Sequence, residues 1–223
     1  MLPKELETFL LDQLTENRKG LFDTILPHRT NHVTVVLENF FQPHNFSAVL
    51  RSCDCFGIHN VHIIENENSY QRNPKINMGS DKWLRLNRHN KLDNNTESCL
   101  KQLKSDGFKI VAAHPHGKAT PLQKLDLTSK TAIVFGTEQE GISDIVKKEA
   151  DEFMTIPMFG FTESFNVSVA AALTLNQVKH SLINSEIEWK LDEKDKSEVL
   201  EMWLERNVKD YDRLKNEWLK RNS

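Results

Sequence analysis

Three short segments hold polar residues whose types and spacing could do chemistry. In QPHNFSAVLRSCDCFG (42–57), Asn45 is followed six residues later by Arg51. In IVFGTEQEGIS (133–143), Gly136 and Gly141 bracket a turn bearing Glu138. In IPMFGFTESFNVSVAAALTL (156–175), Ser164 and Asn166 precede a run of small residues. Amides, a hydroxyl, a carboxylate and one guanidinium can orient a hydroxyl nucleophile and steady developing negative charge. Each residue also has a plainer explanation. Asn45, at the expected start of its helix, and Ser164 and Asn166 are all good N-caps. Arg51 lies within a mostly apolar helix, where an arginine needs an ion-pair partner or a route to solvent. Glycines let a ligand approach the backbone closely, but a single Gly-x-Glu is weak by itself. The chain has no G-x-G-x-x-G and no G-x-x-x-x-G-K, so the usual dinucleotide and triphosphate sites are unsupported.

The elements that must position these residues alternate. HVTVVLENF (32–40), VHIIE (61–65), KIVAAHP (109–115), TAIVFG (131–136) and EFMTIPM (152–158) predict strands. Helical spacing covers 45–57, 96–107, 142–150 and a long segment from about 168. The order predicts an α/β fold with a mainly parallel sheet and helices on both faces. Ligands in such sheets bind beyond the carboxyl ends of the strands, where all three segments fall. Leu6, Phe9, Leu10 and Leu14 predict an N-terminal helix closed by Gly20. From about Leu191 the chain is charged and helical, with Leu200, Leu204, Val208, Tyr211, Leu214 and Trp218 as an apolar stripe. The expected organisation is an N-terminal helical extension (1–30), a central domain (31–180) and a C-terminal helical extension (181–223).

Composition excludes several classes. The 223 residues are 38% apolar and 27% charged, which is globular rather than disordered. No apolar run approaches the roughly 20 residues of a membrane helix. MLPKELETFLLDQL carries acids and an amphipathic pattern, unlike a signal peptide. Three sparse cysteines point to a reducing, cytoplasmic setting. Cys53-x-Cys55 lacks a second pair or a nearby histidine cluster, so no metal site is expected and buried thiols are the better reading. The net charge is −3, yet residues 70–91 hold six Lys or Arg against one acid. Such a window binds phosphates or forms a solvated loop. Its Tyr70 and Trp83 could stack on bases, with ordinary core packing equally open for Trp83.

Together the three segments are far more specific than any one. PHNFSAVLRSCDCFGIHNVH (43–62), FGTEQEGIS (135–143) and IPMFGFTESFNVSVAAALTL (156–175) resemble the three motifs of the SPOUT superfamily of RNA methyltransferases. Within it they are most similar to the TrmH-like tRNA/rRNA ribose 2′-O-methyltransferases. MGSDKWL (78–84) also looks like a family segment, and the resemblance spans about residues 30–180.

The resemblance implies a parallel α/β domain whose C-terminal part is threaded into a deep trefoil knot, which general topology rules would argue against. It implies S-adenosyl-L-methionine as cofactor, held at positions matching Ala113, His114, Gly136, Gly141, Ile156, Met158 and Phe165. Family members often carry Thr and Leu where this chain has Ala113 and Phe165, contacts expected to be backbone or apolar. The catalytic positions carried over are Asn45, Arg51, Glu138, Ser164 and Asn166, and all five are intact. Family proposals cast Arg51 as the base. A guanidinium keeps its proton above about pH 12, so orienting the hydroxyl and stabilising an alkoxide is the role expected here. A homodimer is implied, with RNA gripped by Arg72, Lys75, Lys82, Arg85 and Arg88 and by the terminal helices. The short helical extensions resemble the layout of the tRNA guanosine-18 2′-O-methyltransferases. An rRNA target and a non-catalytic RNA-binding module are the alternatives.

Overall fold

Strand β1 (Val33–Glu38) is buried along its whole length, because both faces of the sheet are covered. In the computed structural model, which describes residues 2–68, 79–115 and 118–222, β1 is an inner strand of a parallel sheet, between β2 and β6. The other strands are β2 (Asn60–Ile64), β3 (Arg85–His89), β4 (Lys109–Ala113), β5 (Thr120–Pro121), β6 (Thr131–Phe135) and β7 (Glu152–Thr155). Their order is β3-β2-β1-β6-β4-β7-β5, and every paired neighbour is parallel.

Period-two alternation divides the apolar residues between two layers. On one face Val33, Val35, Leu37, Ile133 and Phe135 meet helix α3 (Pro43–Cys55) and helix α6 (Val167–Ile183). On the other, Val36, Ile110, Ala132 and Val134 meet α4 (Asn95–Ser105) and α5 (Asp144–Glu149). The alanine-rich start of α6 packs against α3, with Ala171 fully buried. The small side chains thus serve close helix packing inside this chain.

The chain divides into two compact units, one formed by residues 30–189 and one by 1–29 with 190–223. In the second unit, α1 (Lys4–Leu11) packs against α7 (Glu193–Asn207) and α8 (Tyr211–Arg221). Its core includes Trp203, with Phe22 of α2 (Glu16–Ile25) 5.1 Å away between ring centroids and the Arg29 guanidinium 5.3 Å from the ring.

Four local expectations are corrected. Gly20 lies inside α2 instead of closing a helix, because Thr15 caps a second helix two turns long or more. Pro43 starts α3 ahead of Asn45, since its fixed φ and missing N–H suit a first helical position, so Asn45 is not a cap. The tail is two helices, broken at Asp210, which has φ 57. Strands β3 and β5 were not expected, because RLNRH is charged and β5 is two residues long.

Candidate active site

The loops leaving the carboxyl ends of β1, β6 and β7 converge on the first turns of α3 and α6. Asn166 is the N-cap of α6, and its Oδ1 accepts from the Ser168 N–H at 2.9 Å and from Ser168 Oγ at 2.6 Å. That orientation turns its Nδ2 outward, where it donates to Asn45 Oδ1 at 3.1 Å and, closely, to Glu138 Oε1. Asn45 Nδ2 in turn donates to Gln42 Oε1 at 3.1 Å. A carboxylate only accepts, so Glu138 fixes which way the Asn166 amide faces. Asn45, Glu138 and Asn166 therefore form one hydrogen-bonded chain.

Glu138 rides on a turn closed by Thr137 N–H to Gly141 C=O at 2.9 Å and Gly141 N–H to Thr137 C=O at 3.1 Å. Gly141 sits at φ 70, a region that favours glycine. A Cβ added at Gly136 would lie 2.0 Å from the Gly141 carbonyl oxygen, so that position has no room for a side chain. Beyond the turn, the buried Glu38 carboxylate at the end of β1 anchors Ser143. Its Oε2 accepts from the Ser143 N–H at 3.0 Å and its Oε1 from Ser143 Oγ and Thr96 Oγ1, each at 2.7 Å. Ser143 Oγ also caps α5 by accepting from the Val146 N–H.

This turn forms the wall between two clefts. The first, of about 330 Å³, is lined by Ala113, His114, Gly136 and Gly141. Ile156, Met158 and Phe165 also line it, as do Glu138 and Ser164. Its lining includes the acidic residues Glu138, Glu140 and Glu163 against a single lysine, Lys147. The second cleft, of about 310 Å³, shares Thr137–Glu140 and Val167 and adds Phe40, Gln42 and Asn45.

The remaining sequence-derived candidates sit elsewhere. Arg51 is exposed on α3 and lines neither cleft. Arg88 is on β3, where Nε and Nη2 each bind the buried Glu65 carboxylate at 2.8 Å. Arg85 is half-buried on the same strand and Lys82 is exposed just before it. Arg72 and Lys75, with Tyr70, lie outside the described residues. Sequence reasoning missed Gln42 and Glu38. A carboxylate closing an otherwise apolar strand was the available signal for Glu38.

One histidine–cysteine cluster also appears. Ligand atoms of His62, His89 and Cys99 lie within 4.8 Å of one another. His62 Nδ1 and His89 Nε2 are 3.0 Å apart, and ring centroids 5.3 Å apart with planes 19° off parallel place the rings edge to edge. That is a hydrogen bond between neutral imidazoles. Burial, reinforced by His89, lowers the His62 pKa to about 4, and burial pushes the Cys99 thiol up to about 12.

A family model described as the SpoU rRNA methylase family matches residues 32–176. A tRNA (guanosine(18)-2′-O)-methyltransferase of Borreliella burgdorferi is 37% identical over 203 residues, 91% of this chain and 91% of that protein. The crystal structure of the Aquifex aeolicus TrmH/SpoU tRNA-modifying enzyme superposes with a TM-score of 0.76 at 29% identity, covering 87% of this chain and 98% of that one. The methyltransferase AviRb of Streptomyces viridochromogenes, solved in complex with AdoMet, shares the fold, with a TM-score of 0.62 at 23% identity over 73% of this chain and 65% of that one. Matched by the family model over residues 32–176, more than half of its length, and spanning most of the length of such relatives, the chain belongs to the SpoU rRNA methylase family.

Proposed function

We propose that this protein methylates a ribose 2′-hydroxyl of RNA with S-adenosyl-L-methionine, and that the target is guanosine 18 in the D-loop of tRNA. The observation that carries the reading is the hydrogen-bonded Asn45–Asn166–Glu138 chain on the wall between two clefts. A cofactor on one side and a nucleoside on the other would meet at that wall. The tRNA target is supported by the relatives named as guanosine-18 methyltransferases.

The first cleft fits the cofactor on its own chemistry. It combines apolar walls at Ile156, Met158 and Phe165 with close backbone approach at Gly136. Its excess of acidic residues complements a ligand that is cationic overall, with a sulfonium and an ammonium against one carboxylate. When bound, S-adenosyl-L-methionine supplies an electrophilic methyl group. The residues of this chain need mainly to position the acceptor hydroxyl. Asn45 and Asn166, locked by Glu138, hold the ribose, with Ser164 beside them. Arg51 orients the hydroxyl and its phosphate and stabilises the developing alkoxide by charge-assisted hydrogen bonds.

Arg51 lines neither cleft of its own chain, which favours a site completed by a second copy. A homodimer is supported by Phe159 and Phe161, essentially fully exposed, and by Val169 and Leu173 one turn apart on the open side of α6. The threaded knot and the cytoplasmic setting are part of the same reading. A sedimentation mass of one chain, 25.8 kDa, at micromolar concentration would contradict the dimer.

The deciding experiment is methyl transfer from labelled S-adenosyl-L-methionine to unmodified tRNA and rRNA, with the product mapped by nuclease digestion and mass spectrometry. A 2′-O-methylguanosine in the tRNA D-loop that disappears in Arg51→Ala is expected. Methylation confined to rRNA would overturn the substrate, and no transfer to either would overturn the activity.

A further inference from the structure

The second cleft contains a carboxylate that methyl transfer does not use. Glu67 follows β2 and lines this cleft beside Phe40, Phe41, Gln42, Asn45 and Asn68. Its backbone is held in place from β1. Asn39, at φ 52, accepts through Oδ1 from the N–H groups of Asn66 at 2.9 Å and Glu67 at 3.3 Å. Its carbonyl accepts from Asn68 Nδ2 at 3.1 Å. Residues 66–68 are thereby pinned beside the segment that leads into Asn45. The Glu67 side chain is exposed, and its carboxylate has no hydrogen-bond or ion-pair partner among the described residues.

A carboxylate in a cleft that receives RNA is repelled by phosphates unless the nucleotide offers it N–H donors. Guanine alone among the four bases presents two adjacent donors on its pairing edge, N1–H and the 2-amino group. A carboxylate can accept from both. On the same edge adenine and cytosine place a ring-nitrogen acceptor next to their amino group, and uracil flanks its one donor with two carbonyls. Phe41, 77% exposed at the same cleft, offers a flat apolar face, and base stacking on aromatics is a common grip on unpaired RNA. Gln42 lies between these residues and the catalytic chain, hydrogen-bonded to Asn45.

From this placement we infer that the second cleft is a guanine-binding subsite, in which Glu67 accepts from N1–H and the 2-amino group and Phe41 stacks on the base. The inference rests on the RNA methyltransferase reading and deepens it by assigning base selection to residues outside the family motifs. Adenine in the subsite would bring its N1 lone pair against the carboxylate, which is a repulsive contact as well as a lost one.

The test is single-turnover methyl transfer to tRNA transcripts carrying guanosine, inosine or adenosine at the mapped target position. Inosine keeps N1–H and lacks the 2-amino group. Wild-type protein is expected to prefer guanosine over inosine by roughly tenfold or more, the scale of a lost base contact. Glu67→Gln should shrink that ratio towards one, and Phe41→Ala should slow all three transcripts while keeping the ratio. S-adenosyl-L-methionine affinity, read by calorimetry, checks that the first cleft of each variant is intact, and a general loss of structure would not change base preference. Equal rates on guanosine and inosine in the wild type, or an unchanged ratio in Glu67→Gln, would overturn the subsite. No transfer by the wild type to any transcript would overturn the methyltransferase reading itself, and the subsite with it.

Discussion

Asn166 reaches across 121 residues of chain to donate to Asn45 Oδ1 at 3.1 Å, while its own Oδ1 caps the helix it begins. One side chain thus caps a helix and ties together two segments distant in sequence. Replacing it with alanine is expected to cost about 1 kcal/mol of stability through the lost cap. The same change should lower the methyl-transfer rate on the order of a hundredfold, the usual scale for one positioned polar group. Asn45→Ala caps nothing, so it should lower the rate with little change in urea midpoint. Because the two amides act as a unit, the double variant should be scarcely slower than either single one. Rates that multiply instead would mean the hydrogen bond has no role in positioning.

Gly136→Ala probes the wall between the clefts. The new Cβ would meet the Gly141 carbonyl oxygen at 2.0 Å, its carbon at 2.2 Å and the Ile142 nitrogen at 2.5 Å. All three are backbone atoms, so the turn carrying Glu138 must shift. Cofactor affinity measured by calorimetry is expected to fall on the order of tenfold, the effect of an overpacking strain of one to three kcal/mol. Gly160→Ala is the control, since a Cβ there meets nothing within 4 Å, and its affinity should match the wild type. Equal binding by both variants would show that the turn moves freely and does not shape the cleft.

How far the sequence exposes this site depends on which forces set each feature. Buried parallel strands such as VTVVL are apolar on both faces, so the central strands are legible from composition alone. Strand β3 is not, because at the sheet edge Arg88 replaces apolar burial with an ion pair to Glu65, a partner 23 residues away. Asn166 reads correctly as a cap because capping is local. Asn45 does not, because Pro43 shifts the helix start and its real partner comes from a distant loop. The seven positions that the resemblance implies for the cofactor are brought together as lining of the first cleft. Gln42 and the second cleft are products of the tertiary fold with no local pattern to announce them, whereas Glu38 leaves one trace, a carboxylate ending an apolar strand.

Glu38 illustrates a long-range duty with a measurable energy. Its carboxylate is buried and accepts three hydrogen bonds, two from Ser143 and one from Thr96. Glu38→Ala leaves those donors without an acceptor and opens a cavity, so urea denaturation should register a loss of about 3 kcal/mol. Glu38→Gln keeps the volume but aims an amide N–H₂ at donors that need an acceptor. It should fall between the wild type and alanine. A glutamine variant as stable as the wild type would mean that charge at this position contributes nothing.

The edge-to-edge pair of His62 and His89 predicts a weakness towards acid. Burial, with a smaller contribution from His89, holds the His62 pKa down to about 4, against about 6.5 in an unfolded chain. Burial lowers His89 in the same direction. Above about pH 6.5 the imidazole is neutral in both states and its pairing is retained in full. As the pH falls from there towards 4, the unfolded chain takes up a proton that the folded protein refuses. Stability therefore drops over that window, by up to about 3 kcal/mol from His62. Urea titrations at pH 7 and pH 5 should show the midpoint falling at the lower pH. His62→Gln retains a hydrogen-bonding side chain opposite His89 and cannot titrate, so it should be less stable at pH 7 and show a smaller fall between the two pH values. A fall of the same size in the variant would trace the acid sensitivity to other groups and leave the histidine pair a purely structural contact.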